Sequence, residues 1–224
     1  MQSTAAVSSR TAPPRAVSLR WPWILLPGRM ALFVFFQALI AAGFALGGIR
    51  NAWHESAAWW PVTVTLTNLT CLGLLVRLYR QEGRRDWDIF RIQRKNVKGD
   101  LLALLGLMVI TGPVSMLPNT MLAAALYEDA LAPVRLFLAP LPPFGLFFAL
   151  VMFPITQGLV ELAFYFVYIM PRLARQINPW LAYLLAAFFL GIQHLAIPLR
   201  LDPRFMLWRG VMYIPFAFLV GGAL

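Results

Sequence analysis

The chain has 224 residues, is 60% hydrophobic and has a mean hydropathy of +0.71. Those values exceed what an ordinary soluble domain carries and point to an integral membrane protein. A net charge of +10 would suit a nucleic-acid binder. The bases, however, sit between apolar runs, no glycine-rich phosphate loop is present, and no nucleic-acid partner is expected.

Residues 1–22 are rich in Ser, Ala, Pro and Arg and contain no acid. That composition cannot bury a core and reads as a disordered cytoplasmic tail, although a transit peptide shares the bias. Crossing a bilayer as a helix takes about 20 apolar residues. Five such runs follow, near residues 30–48, 57–76, 101–117, 144–169 and 181–198. A sixth, from Gly210, reaches only fifteen residues at Leu224. The expected fold class is therefore an all-α polytopic membrane bundle with five complete spans and a short sixth. Residues 118–143 are proline-rich and read as one interfacial or re-entrant helix, because proline interrupts helix hydrogen bonding.

Orientation follows from the placement of Lys and Arg. With a cytoplasmic N-terminus, the tail counted through Arg29, residues 77–99 and residues 171–179 hold 4, 8 and 2 bases, and the outer loops hold 5. The bias places the basic loop 77–99 in the cytoplasm, drawn to anionic head groups, and membrane lipids are the first expected partners. The chain divides into the tail 1–22, membrane helices 23–143 and a core 144–224. Gly43 and Gly47 stand four apart, a spacing that lets helices approach closely, and read as intramolecular packing. Cys71 lies alone in an apolar run and reads as an inert packed thiol. His54, in "RNAWHES", reads as a solvated surface residue.

Glu161, in "VELAFYFVYIMPRL", is the only charge before Arg172 in its run. A carboxylate in hydrocarbon costs a few kcal/mol at least. At 1.5 Å per residue it lies about 15 Å from the inner end of its helix, and His194 on the returning helix lies about 21 Å from the same side. A carboxylate and an imidazole at similar depth can share a proton, a metal or a water. Gln157, Tyr165 and Tyr168 extend a polar stripe along the Glu161 face, and Gln193 precedes His194. The plainer alternative is that Glu161 and His194 are structural, bonded between helices.

"VELAFYFVYIMPRL", followed one helix later by "FFLGIQHL", resembles the core of the CPBP family of intramembrane proteases, also called the CAAX protease or Abi family. That family's motifs are EExxxR, usually ahead of a "YLLPRL"-like helix end, then FxxxH, then a late HxxxN or HxxxD. The resemblance covers roughly residues 144–224. It implies an endopeptidase acting on membrane-tethered or prenylated peptides in a bacterial inner membrane. Glu161 would activate water and His194 would stabilise the oxyanion; the polar stripe itself places Gln157 and Tyr165, with Gln193 beside His194, as the cavity's supporting residues. It also implies a divalent metal such as zinc as one candidate cofactor, held by Glu161 and His194. Leu162 stands at the second glutamate, Phe166 at the arginine and Leu190 at the phenylalanine. The third motif is not in the sequence, and the core is expected to be truncated. A non-catalytic adaptor of the same family and a small proton-coupled transporter are the rival readings.

Overall fold

A computed structural model describes residues 19–84 and 97–223. The tail up to residue 18 and the middle of the basic loop, 85–96, lie outside the described residues. Among the described residues every regular element is helical. Six helices are long and apolar enough to cross a membrane: Trp21–Leu46, Ala52–Gln81, Val97–Tyr127, Pro143–Leu173, Pro179–Ala196 and Pro203–Ala223. They are called here the first to sixth spans. The chain is an all-α integral membrane protein.

Local chemistry sets where the spans begin. Pro143, Pro179 and Pro203 open theirs; proline suits a first helical position because its missing N–H would have had no partner there. The Asn178 side chain accepts from Trp180 N at 2.8 Å, and Asp202 Oδ1 accepts from Arg204 N at 2.9 Å. Both are N-caps that satisfy orphan donors. The Asp202 cap starts the sixth span seven residues before Gly210, so its 21 residues reach about 31 Å, enough for a hydrocarbon core of about 30 Å. The expectation of a short sixth span is corrected accordingly.

Two further boundaries differ from expectation. The first span starts at Trp21, inside the segment read as tail. The third continues through Pro113 and Pro118 to Tyr127, so residues 118–143 are not one re-entrant helix. Within them only Ala132–Phe137 forms a separate short helix ahead of the fourth span. Prolines are tolerated in membrane helices because neighbouring groups re-satisfy the freed backbone.

The core is built where the first, second, fourth and fifth spans meet. Leu25, Cys71, Leu75, Tyr79, Phe164, Tyr165 and Ala186 pack there with almost no exposure. The third span instead exposes Leu101, Leu102, Leu105, Met108 and Val109, a surface suited to lipid chains. Trp208 Nε1 of the sixth span donates to Asn119 Oδ1 at 2.8 Å and so joins it to the third. The close approach of helices falls at Gly191, where an added Cβ would lie 2.9 Å from Ile214 Cα, and at Gly221, where it would fall against the Phe166 ring. It does not fall at Gly43, beside which a Cβ would meet no atom within 4 Å. The packing role read for Gly43 and Gly47 is therefore not realised.

Candidate functional site

The polar centre of the bundle is organised by a residue of the first span. Arg29 is the ninth residue of Trp21–Leu46 and is completely buried. Its Nη1 donates to Glu161 Oε1 at 3.0 Å and to Gln193 Oε1 at 3.1 Å. Its Nη2 donates to Asn68 Oδ1 at 2.7 Å and to Gln157 Oε1 at 3.0 Å. One planar guanidinium thus reads acceptors from the second, fourth and fifth spans, the fixed-fork geometry that lysine cannot reproduce. Asn68 Nδ2 donates onward to Gln157 Oε1 and to Thr156 Oγ1, at 3.1 and 3.2 Å. Gln193 Nε2 donates to Glu161 Oε1 at 3.0 Å, and Tyr165 OH donates to Gln193 Oε1 at 3.1 Å.

Glu161, Gln157, Tyr165 and Gln193 therefore belong to one hydrogen-bonded cluster. His194 does not join it through a hydrogen bond. The fifth span tightens into a 3₁₀ turn over Gln193–Ala196. That turn delivers Gln193 to the carboxylate and swings His194 aside. The imidazole Nδ1 meets Gly191 O at 3.0 Å, and the ring stacks on Tyr213 at 3.9 Å between centroids. Tyr168 also leaves the stripe. The backbone is π-helical over Ala163–Ile169, so each residue advances less around the axis than in an α-helix and the i+4 spacing no longer holds. Tyr168 turns to the guanidinium of Arg172, 3.7 Å from its ring. Arg172 is paired in turn with Glu82 at the end of the second span.

Within the cluster one atom is left over. Glu161 Oε1 carries both donors, whereas Oε2 has no hydrogen-bond partner among the described residues, and the side chain keeps 14% exposure. The arrangement can hold one carboxylate oxygen fixed while offering the other to a donor.

A divalent metal does not fit these groups. Among the described residues no three of His, Cys, Asp and Glu stand together. The nearest neighbours of Glu161 are a cationic guanidinium and an amide N–H, which are donors and not ligands.

Arg29, Asn68 and Thr156 were not among the residues expected here. The signal for Arg29 was present, since "ILLPGRMALFVFF" is apolar on both sides of the base, yet Arg29 lies at the run's edge and counts equally well as a tail residue. The chain matches no family model, no curated protein and no solved structure.

Proposed function

We propose that this integral membrane protein binds a membrane-tethered peptide or a lipid group at the Glu161 cluster without cleaving it, as a non-catalytic relative of the CPBP family. The observation that carries this reading is the Arg29–Glu161 pair. A water-activating carboxylate works with an oxyanion donor across the scissile bond, but Glu161 is held by Arg29 and Gln193 while His194 makes its contacts elsewhere. The open Oε2 then serves as an acceptor for an N–H or O–H of the bound group.

A second reading, intramembrane endopeptidase, is favoured by the same open oxygen, which is free to accept from a water. One experiment separates the two. The full chain in lipid nanodiscs is mixed with a fluorescent prenylated peptide, and binding is read by anisotropy and cleavage by mass spectrometry. Binding that persists without cleavage, and weakens in Glu161→Gln, supports the binding reading. Cleavage abolished by Glu161→Gln in a folded variant overturns it in favour of the peptidase. Proton-driven uptake of the peptide into vesicles, with no cleavage, would overturn it in favour of a transporter.

For the orientation, we propose a cytoplasmic N-terminus in a bacterial inner (plasma) membrane. Arg29, Arg172 and Arg209 are buried inside the bundle and so leave the count of loop bases. The remainder is 12 on the proposed inner side and 4 on the outer, which keeps the bias.

A further inference from the structure

A cavity lies at the opposite end of the first span from its N-terminus, where the loop after Leu46 meets the loop between the fifth and sixth spans. Its volume is about 540 Å³, and Asn51, Trp53, His54, Leu199, Arg200 and Asp202 are among its walls. The fold holds one wall firmly. Gln37 clamps the Leu199 backbone from both sides, donating to its carbonyl at 2.9 Å and accepting from its N–H at 2.8 Å. Arg209 Nε and Nη2 both donate to Ile197 O, at 3.0 and 2.8 Å. Arg200 therefore leaves a loop fixed on two sides.

The donors in this cavity outnumber their acceptors. Arg200 Nη1 stands 3.1 Å from His54 Nε2. Arg200 Nε and Trp53 Nε1 are both buried with no hydrogen-bond partner among the described residues. No carboxylate stands within ion-pair distance of Arg200 among the described residues: Asp202 gives Oδ1 to its helix cap and Oδ2 to Tyr127 OH, at 3.5 Å. Burial lowers the Arg200 pKa, with Asp202 and Glu55 opposing the shift. A buried guanidinium Nε–H and a buried indole N–H in the walls of one cavity are each costly unless an acceptor arrives from outside.

We propose that this cavity binds a phosphate oxyanion, with Arg200 and the Trp53 indole N–H as its donors. Guanidinium and phosphate match in geometry and charge, and a tetrahedral anion accepts from donors on several sides. The site lies at a span end, in the layer where lipid phosphates reside. Leu136, Leu199 and Leu201 in its walls suit the glycerol and first methylenes of a phospholipid. A lipid headgroup and a soluble phosphate share this chemistry, and the test distinguishes them.

The full chain in an uncharged detergent is titrated with inorganic phosphate in one arm and short-chain phosphatidylglycerol in the other, and the melting temperature is followed. We expect a saturable rise that weakens about tenfold, or about 1.4 kcal/mol, in Arg200→Gln. Trp53→Phe should weaken it about threefold, the size of one hydrogen bond. Arg204→Gln, an exposed arginine of the same region, should leave it unchanged. A rise with phosphatidylglycerol alone assigns the headgroup, and a rise with both assigns phosphate itself. No rise in either arm, or equal losses in Arg200→Gln and Arg204→Gln, would overturn the proposal. If Arg200→Gln gives no cooperative transition, Trp53→Phe decides: affinity equal to wild type would then overturn it.

Discussion

Arg29 and Glu161 stand 132 residues apart in the chain, and in the fold their side chains meet at 3.0 Å. The guanidinium has no exposure at all and the carboxylate keeps 14%. Removing one partner of such a pair leaves an uncompensated charge, which costs more than removing both. Arg29→Met should destabilise the protein by about 3 to 5 kcal/mol, and Arg29→Met with Glu161→Met should recover a large part of the loss. Denaturant unfolding of the detergent-solubilised single and double variants measures this. A double variant no better than Arg29→Met would show that the pair is not desolvated.

Gln193, and not its neighbour His194, bridges the cluster. Gln193→Leu removes bonds to Arg29, Glu161 and Tyr165 together, whereas Tyr165→Phe removes one. We expect Tyr165→Phe to cost about 0.5 to 1.5 kcal/mol and Gln193→Leu at least twice as much. His194→Phe keeps the stack on Tyr213 and should cost less than Gln193→Leu. The same unfolding assay ranks the three.

Gly221 and Gly191 mark where the sixth span touches the fourth and fifth. Gly221→Ala puts a methyl against the Phe166 ring, and Gly191→Ala puts one against the Ile214 backbone. Overpacking of this kind costs about 1 to 3 kcal/mol. Gly43→Ala, which meets open space, should be neutral or slightly stabilising, since alanine is the better helix former. Melting temperatures of the three variants test the contrast.

For orientation, a cysteine placed at Gln81 in a Cys71→Ala background should react with an impermeant thiol reagent only after cells are permeabilised. Cys71 itself is wholly buried, so wild-type protein should stay unlabelled in both conditions. Labelling at position 81 on intact cells would reverse the topology.

The helical membrane fold was legible because hydropathy is a sum over many residues, and no single side chain decides it. Individual boundaries were harder wherever one polar group had an unseen partner. Arg204 and Arg209 hid the start of the sixth span, since a base in an apolar run usually marks an end. In the fold Arg204 follows the Asp202 cap, and Arg209 is accommodated by the Ile197 carbonyl and by the Phe137 ring, 4.3 Å away. Within the site, Glu161 was identified by its cost in hydrocarbon, Gln157 and Tyr165 by their spacing on its helix face, and Gln193 by its place beside His194. Arg29 was not, because a base at the edge of a span is free to reach water until another helix covers it. The departures of Tyr168 and His194 follow from the π segment and the 3₁₀ turn. Neither is visible in spacing rules that assume an unbroken α-helix.

Arg29 also sets an order of events during synthesis. Its span emerges and enters the bilayer long before the fourth, which carries Glu161, has been made. The first acceptor to reach it is Asn68, delivered when the second span folds back as a hairpin, at 2.7 Å in the finished protein. Until the fourth span supplies Gln157 and Glu161, the partners already made are that one carbonyl and the Phe33 ring, 5.2 Å away in the finished protein. Loss of Asn68 should therefore lower the yield of inserted protein as well as loosen the finished cluster.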